Sequence, residues 1–277
     1  MATPFAAETA VTPAGDGRHT AAMTADWGVP RGANGGVVAA TILRAMEAEL
    51  GDGAPPARSL TTHFLRPPAP GPVEIDVHID RQGRNVAAVS ARLSQDGRLM
   101  ATALGAFGLP FGGSTDIPGV PMPDVEAPPA ELPVPFIPPE IWVPPVVKRC
   151  RMVPALGGHP GEPGGGATVS GGWMRLDDPA PLDAAALVFY ADAWMPTPFL
   201  AAPGPAIAPT IDLTVYFRRP LPHPGTDEQT PVLGRFETRL AADGYFVEDG
   251  DLWAPDGTLL AQSRQLALLL PVDGAPA

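Results

Sequence analysis

The sequence has one cysteine, few basic residues and no long apolar run. Cys150 alone cannot form an internal disulfide and supplies no cysteine-based metal site. The five histidines are scattered, without a His-x-x-x-His or His-x-Glu pair, so neither a metal nor another cofactor is expected. Lysine and arginine number 18 against 30 aspartate and glutamate residues. The resulting net charge of −12 disfavours nucleic acid and anionic membranes as partners.

Signals for export and for membrane insertion are also missing. The N-terminus has neither the basic n-region nor the sustained apolar h-region of a signal peptide. No stretch approaches the roughly 18 apolar residues that a membrane span needs. These absences predict a cytoplasmic protein that does not enter a membrane. Hydrophobic residues make up 45% of the 277 residues, which is enough for the cores of two domains.

Prolines crowd residues 110–145. Proline removes a backbone donor and fixes φ, so this segment is neither a helix interior nor a central strand. The composition predicts an extended connector. The segment also carries apolar side chains, which indicate that it lies against the body of the protein. They are Phe136, Ile137, Ile141 and Trp142.

The parts of the chain on either side of the connector match each other. Residues 59–68 begin as a strand and end in a proline turn, and residues 212–221 do the same. Each part then reaches an Asp-Gly hairpin signal and a final strand, at Asp96 and at Asp256. The same features in the same order indicate a duplication. The predicted division is an N-terminal domain at 1–109, a connector at 110–169 and a C-terminal domain at 170–277.

One apolar segment precedes the strands of each copy. Residues 35–50 and 182–195 are apolar over most of their length, and their alanines allow close approach to a sheet. A helix with so few polar positions is buried rather than laid on the surface. One buried helix followed by about four antiparallel strands, occurring twice, predicts an α+β fold in which each sheet wraps around one helix.

Four features occur together: a helix that opens on Gly-Ala-Asn-Gly-Gly, a strand that ends in Phe-Leu-Arg-Pro, the Asp-Gly hairpins and the duplication. In this combination the sequence resembles the double hot-dog acyl-CoA thioesterases, specifically the acyl-CoA thioesterase II-like group. The resemblance covers roughly residues 5–109 and 170–270. It implies a tandem hot-dog fold and an enzyme of lipid metabolism that hydrolyses acyl-CoA to the free acid and coenzyme A.

The resemblance also implies three site residues. In that family an aspartate on the second helix, a threonine at the start of the following strand and a glutamine on the last strand bind the attacking water. These roles fall on Asp192, Thr210 and Gln265. Leu213 stands where the motif around the threonine often has a histidine, which makes the surroundings less polar. Gly105 stands at the first-copy position that matches Gln265, so one complete site per chain is expected.

Asp192 is predicted to be the general base of this site. It lies in an apolar stretch, and desolvation there would raise the pKa of its carboxyl toward neutrality. The Thr210 hydroxyl and the Gln265 amide are not bases near neutral pH, but they can hold a water molecule and aim it. Asp212 shares a strand face with Thr210 and is the rival base; we interpret it as structural or as a support for the residues that hold the water.

Further substrate contacts are assigned to four residues. We hypothesise that the backbone N–H groups of Gly35 and Gly36, at the start of the first helix, face the thioester oxygen. Arg218, at a strand end, is a candidate partner of a coenzyme A phosphate. Trp194 is a candidate for the wall of the acyl pocket.

Two other functions remain open at this point. One is a non-catalytic acyl-CoA-binding protein of the same fold, and the other is a hot-dog enoyl-CoA hydratase. Such hydratases pair an aspartate with a nearby histidine, and no histidine occurs in the predicted helix or strands of the second copy. A monomer and a homo-oligomer are both compatible with the sequence, because exposed sheet edges can pair further.

Overall fold

The computed structural model describes residues 3–113, 115, 117–134, 143–157, 168–202 and 204–272. Within these ranges the α-helices are α1 (Pro4–Glu8), α2 (Gly35–Leu50) and α3 (Ala184–Tyr190). Short 3-10 helices occupy Ala25–Trp27, Pro145–Arg149 and Thr197–Leu200. None of the helices in the described part of the chain is long and apolar enough to cross a membrane.

The strands form two groups along the chain. Those of the first copy are β1 (Thr12–Gly15), β2 (Arg18–Met23), β3 (Gly28–Val29), β4 (Gly32–Ala33), β5 (Ala57–Phe64), β6 (Gly71–Gln82), β7 (Val86–Gln95) and β8 (Arg98–Gly108). Those of the second are β9 (Cys150–Gly157), β10 (Val169–Leu176), β11 (Ala206–Ile207), β12 (Thr210–Phe217), β13 (Val232–Ala242), β14 (Tyr245–Trp253), β15 (Leu259–Leu268) and β16 (Leu270–Pro271).

Twelve of these strands form one continuous antiparallel sheet, in the order β1-β2-β6-β7-β8-β5-β12-β15-β14-β13-β10-β9. The two copies join where β5 pairs with β12, in a register that sets His63 opposite Asp212. The hydroxyl oxygens of Thr61 and Thr214 lie 3.0 Å apart across this seam. The two predicted sheets are therefore halves of a single sheet.

The strand order confirms the predicted duplication. Outward from the seam, the first copy runs β5, β8, β7, β6 and the second runs β12, β15, β14, β13. The residue pairing is equivalent as well: Leu60 lies opposite Gly105 in the first copy, and Leu213 lies opposite Gln265 in the second. Gly105 thus occupies the place of Gln265, and the architecture is the predicted α+β tandem hot-dog.

The Asp-Gly signals turn the chain between neighbouring strands. Asp96 and Gly97 join β7 to β8 and have φ of 50° and 70°. A two-residue turn of this kind requires positive φ at both positions, which Asp tolerates and Gly adopts without steric cost. Gly257, between β14 and β15, has φ of 87°.

Helix α2 occupies the predicted residues and is buried along most of its length. Its N-cap is Asn34, whose side-chain oxygen accepts the backbone N–H of Val37 at 3.1 Å. Helix α3 packs against α2 in the opposite direction. The start of α2 contacts Asp192, two residues after the end of α3, whereas Arg44 on α2 pairs with Asp183, the N-cap of α3, at 2.5 Å.

Helix α3 is shorter than the prediction of 182–195. It ends at Tyr190, and the backbone N–H of Asp192 bonds to the carbonyl of Phe189, three residues back, at 3.0 Å. This tight turn closes the helix ahead of Pro196, which would remove a donor from any continuation. Asp192 therefore lies in the turn after the helix rather than on the helix.

The predicted connector, residues 110–169, contains a strand that the prediction missed. Strand β9 pairs with β10 and forms one edge of the sheet, so the second copy begins at β9 and not at residue 170. The proline in this strand, Pro154, concealed it. An edge strand tolerates proline because it does not need every backbone donor.

The described part of the connector lies against the second copy, as predicted. The indole N–H of Trp173 donates to the carbonyl of Glu126 at 2.9 Å, and that of Trp253 donates to the carbonyl of Val120 at 3.1 Å. Leu132 packs into the same apolar cluster. The prediction relied on Phe136, Ile137, Ile141 and Trp142. These four residues lie outside the part of the chain that the structure describes.

Thr62, on β5 at the seam, has a fully buried hydroxyl without a hydrogen-bond partner among the residues that the structure describes. Because burial of an unpaired hydroxyl is unfavourable, we expect Thr62→Val to raise the free energy of unfolding by about 1 kcal/mol. Thr61→Val is the matched control. It removes a hydroxyl on the preceding residue that is bonded to Thr214, and it should lower the free energy of unfolding. Urea unfolding of both variants measures the difference. If Thr62→Val lowered the free energy of unfolding as much as Thr61→Val does, the expectation would be wrong.

Candidate active site

The carboxylate of Asp192 lies at the junction of the two copies, against the start of α2. Its Oδ2 accepts the backbone N–H of Gly36 at 2.7 Å and the side-chain N–H of Asn34 at 2.9 Å. Its Oδ1 accepts no hydrogen bond within the described residues and is not sealed from solvent. One oxygen of the carboxylate is thus fixed by the first copy, and the other is free to bind a further donor.

Burial is the main influence on the protonation of Asp192. Desolvation raises the pKa of its carboxyl to about 6, and the nearby negative charge of Glu248 acts in the same direction. The hydrogen bonds from Gly36 and Asn34 favour the ionised form and limit the shift. A carboxylate with a pKa near 6 is ionised at neutral pH and still basic enough to accept a proton from a bound water.

Two glycines allow Asp192 to approach α2 so closely. A Cβ atom at Gly36 would lie 3.0 Å from the Cβ of Asp192 and 3.1 Å from the Cα of Phe189. A Cβ at Gly35 would lie 3.1 Å from Asp192 Oδ2 and 3.2 Å from a ring carbon of Phe64. The absence of side chains at both positions brings the N-terminus of α2, with its free N–H groups and positive dipole end, onto the carboxylate.

This geometry changes the hypothesis for the oxyanion donors. The Gly36 N–H is bonded to Asp192, so in this arrangement it does not face a thioester oxygen. The Gly35 N–H, one residue earlier, has no acceptor among the described residues. Gly35 as an oxyanion donor stays a prediction, and Gly36 is reassigned to holding the carboxylate.

Thr210 and Gln265 contact each other, as neighbours on adjacent strands. Thr210 begins β12, and its hydroxyl donates to Oε1 of Gln265, on β15, at 3.1 Å. Gln265 is only 6% exposed and points to the apolar face of the sheet. Its Nε2 donates to a buried carboxylate, that of Glu248 on β14, at 2.9 Å. Each end of the Gln265 amide therefore makes one hydrogen bond, which leaves one N–H and one lone pair for a further partner.

Asp192 is connected to this pair only indirectly. Within the described residues no hydrogen bond joins it to Thr210 or Gln265. Glu248 is the common neighbour, since it bonds to Gln265 and its charge acts on Asp192. The structure thus links the three predicted residues through a fourth that the sequence reasoning missed.

Two residues of the site escaped the sequence analysis although the sequence carries a signal for each. In β14, Phe246, Glu248, Gly250 and Leu252 alternate with more exposed residues, and this period of two places Glu248 on the inner face. A charged residue on a buried face marks a candidate site. Asn34 precedes an apolar helix, as an N-cap does.

The two other predicted contact residues lie outside the hydrogen-bonded group. Arg218 donates to Gln262 Oε1 at 2.9 Å and stacks on the ring of Tyr216, at the exposed end of β12. Trp194 is half-buried, two residues after Asp192, and its indole N–H donates to Ser170 at 3.0 Å. The assignments of Arg218 to phosphate binding and Trp194 to the acyl pocket stay predictions.

Histidine is absent from the contacts of Asp192 within the described residues. His19 pairs with Glu49, and His223 pairs with Asp256 in a loop of the second copy. The part of the chain that the structure describes contains no group of three or more His, Cys, Asp or Glu side chains that could hold a metal ion.

Comparison with protein families gives two matches that together span most of the chain. Residues 23–108 match the model described as the acyl-CoA thioesterase N-terminal domain. Residues 122–269, more than half of the chain, match the acyl-CoA thioesterase C-terminal domain. No curated protein sequence matches the chain.

Several solved structures share the fold along nearly its whole length. A hot-dog protein of unknown function from Alicyclobacillus acidocaldarius is 29% identical, with a TM-score of 0.83 over 98% of this chain and 100% of that one. A putative thioesterase II from Thermobifida fusca YX is 26% identical, with a TM-score of 0.76 over 96% and 97%. The acyl-CoA thioesterase II TesB2 from Mycobacterium marinum is 20% identical and shares the fold, with a TM-score of 0.73 over 99% of both chains.

Proposed function

Because the chain belongs to the acyl-CoA thioesterase family, we propose that it hydrolyses acyl-CoA thioesters with a water molecule held by Asp192, Thr210 and Gln265. Family membership makes the protein a thioesterase. The assignment of these three residues follows from the resemblance of the sequence, and one observation supports it. Asp192 has one oxygen anchored at the interface of the two copies and the other open, with a carboxyl pKa of about 6.

Asp192 acts as the general base in this scheme. Its free Oδ1 accepts a proton from the water while the water oxygen forms a bond to the thioester carbon. The resulting tetrahedral intermediate collapses, the carbon–sulfur bond breaks, and the proton on Asp192 passes to the departing sulfur of coenzyme A. The products are the free acid and the thiol, and Asp192 returns to its ionised form. Because a thiolate leaves readily, no covalent enzyme intermediate is required.

Thr210 and Gln265 contribute through position. The Thr210 proton is directed to Gln265 Oε1, so the lone pairs of the hydroxyl oxygen remain to accept a hydrogen bond from the water. A second contact of this kind fixes the direction from which the water attacks, which lowers the entropic part of the barrier. The Gly35 N–H is our candidate for stabilising the negative charge on the carbonyl oxygen.

A panel of acyl-CoA substrates, from short to long and from straight to branched, tests the proposal. The purified protein is incubated with each, and free thiol is measured with a chromogenic disulfide reagent. We expect thiol release from at least one member of the panel. An enoyl-CoA is included, and its ultraviolet absorbance separates hydration from hydrolysis. A folded protein that releases no thiol from any member would overturn the proposal.

The rate should depend on pH through Asp192. The base acts only when ionised, and its pKa is about 6, so kcat/KM should rise as pH increases through 6 and level off above it. Initial rates between acid and neutral pH, with buffers of constant ionic strength, give the profile. A rate that falls as pH rises through this range would show that the essential group works in its protonated form and would exclude Asp192 as the base.

A further inference from the structure

Glu248 is a buried carboxylate that the proposed mechanism does not use. Its side chain is 3% exposed and lies on the inner face of β14. It accepts three hydrogen bonds: one from Gln265 Nε2 at 2.9 Å, and two from Thr197, from the backbone N–H at 2.7 Å and from the hydroxyl at 2.9 Å. Burial raises the pKa of the Glu248 carboxyl, and the hydrogen bonds from Thr197 and Gln265 act in the opposite direction. Because all three contacts are donors, they favour the ionised form.

The carboxylate determines which way the Gln265 amide points. An ionised carboxylate only accepts hydrogen bonds, so the end of the amide that faces Glu248 must be the NH2 group. The oxygen end then faces Thr210 and accepts its hydroxyl proton. If the amide turned over, its oxygen would face the Glu248 carboxylate and its NH2 group would face Thr210. Glu248 thus sets the hydrogen-bonding pattern that the water meets at Thr210.

The second oxygen of Glu248 holds another part of the site. Thr197 begins the 3-10 helix that follows the turn containing Asp192, five residues after it. The Thr197 hydroxyl also lies 2.9 Å from that of Thr238, on β13. Through Thr197, Glu248 ties the segment that carries Asp192 to the strands that carry Thr210 and Gln265.

The first copy shows that the fold does not need these polar residues. In the second copy, Glu248 lies between Gln265 on β15 and Thr238 on β13. The equivalent pairing in the first copy sets Val89 between Gly105 and Ile79. The three equivalent positions of the first copy, where no site is expected, are thus occupied by two apolar residues and a glycine. The polar set belongs to the site and not to the scaffold.

From these contacts we propose that Glu248 is a positioning residue, which holds the Gln265 amide with its oxygen toward Thr210 and fixes the segment after Asp192. The inference rests on the proposed function, because Gln265 matters only if it helps to hold the water. Glu248 does not touch the substrate; it acts through Gln265 and Thr197.

Glu248→Gln is the central variant of the test. The introduced amide has one acceptor oxygen, which faces the two donors of Thr197. Its NH2 group then faces the NH2 group of Gln265, so the Gln265 amide reorients. We expect kcat to fall on the order of 10²-fold, as for other small displacements of positioned groups, while KM changes little. The stability control is Glu8→Gln. Glu8 is also buried and accepts the backbone N–H and hydroxyl of one threonine, Thr24, without a hydrogen bond to the site.

The pH profile gives a second readout that a merely structural role would not move. The groups that act on the Asp192 carboxyl are Glu248, Asn34 and the Gly36 N–H, and Glu248 is the charged one. Its removal lowers the pKa of Asp192, so the acid limb of the profile should move to lower pH in Glu248→Gln. Asp249, the charged neighbour that acts on Glu248, is paired with Arg264 and is present in both proteins. In Glu8→Gln the limb should stay in place.

A double substitution tests whether Glu248 acts through Gln265. If it does, Glu248→Gln should reduce kcat far less in a Gln265→Leu background than in the native protein, because the amide it orients is already gone. Amide NMR of isotope-labelled protein follows the Gln265 side chain directly, with its signal assigned by its loss in Gln265→Leu. We expect that signal to shift in Glu248→Gln and to stay unchanged in Glu8→Gln.

The outcomes separate this inference from the proposed function. Unchanged kcat and acid limb in Glu248→Gln, together with loss of activity in Asp192→Asn, would overturn the role of Glu248 and leave the thioesterase assignment intact. If the native protein releases no thiol, the proposed function fails, and the Gln265 amide signal decides on Glu248 alone. An amide signal that Glu248→Gln leaves unmoved would overturn the inference in that case.

Discussion

Asp192→Asn should lower kcat for thioester hydrolysis by about 10² to 10⁴-fold, the usual contribution of a positioned general base. The substitution keeps the shape of the side chain. The amide oxygen can take the place of Oδ2 and accept from Gly36 and Asn34, which leaves the NH2 group at the position of Oδ1. The water then meets a donor where it needs a proton acceptor, so binding of acyl-CoA should persist while turnover is lost.

Stability distinguishes this loss of activity from unfolding. The pKa of Asp192 is raised in the folded protein from 3.8 to about 6, so the ionised form is favoured in the unfolded chain. Its contribution to stability is therefore present at acid pH and is lost as pH rises through about 6. A neutral amide avoids this loss. Asp192→Asn should unfold at the same temperature as the native protein or at a higher one when both are compared at neutral pH.

Asp212→Asn is the matched control, because Asp212 lies on the same strand as Thr210 and is the rival base. It should retain native kcat. Thiol release by both variants, at saturating substrate, gives the comparison. The opposite pattern, with Asp192→Asn active and Asp212→Asn inactive, would move the base to β12 and leave the fold and the family unaffected.

Gly36→Val should cost both stability and activity. The nearest neighbours of an added Cβ are the Cβ of Asp192 and the backbone of Phe189, at 3.0 and 3.1 Å, and neither can swing aside as a long side chain would. Overpacking of this kind typically destabilises by about 1 to 3 kcal/mol. The two helices must separate, and the Asp192 carboxylate then leaves the Gly36 N–H that holds it at 2.7 Å. Activity should therefore fall even at temperatures where the variant is folded.

Gly112→Val provides the control for Gly36→Val. A Cβ at Gly112 meets no atom of the described residues within 4 Å, so the stability and kcat of Gly112→Val should match those of the native protein. Thermal unfolding and thiol release are measured on both. If Gly36→Val kept full activity while folded, the contact between α2 and Asp192 would not be required for turnover.

The parts of the molecule that follow local rules could be predicted from the sequence. Helix α2 has a cap, an apolar body and a final glycine, and its bounds were predicted correctly. The Asp-Gly turns define two hairpins, and the repeated order of elements reveals the duplication. Gln265 could be placed on an inner face because side chains alternate along a strand.

The contacts between distant segments could not be predicted in this way. The bond from Gly36 to Asp192 joins residues that are 156 positions apart, and nothing near either residue specifies the other. Glu248 lies beside Gln265 because of the pairing register of β14 with β15. The hydrophobic pattern does not specify this register, because β14 has a bulge near its end. The strand β9 was hidden by a proline whose tolerance depends on its being at the edge.

The seam between β5 and β12 has a consequence for how such a site can change over generations. In a symmetric pair of separate chains, one codon specifies the residue in both subunits, so a buried acid useful in one would also be forced into the other. Here each half is encoded separately, and Val89 and Glu248 occupy matching places with opposite chemistry. Covalent fusion therefore gives natural selection two independent sets of positions, one of which can preserve packing while the other is altered for the reaction.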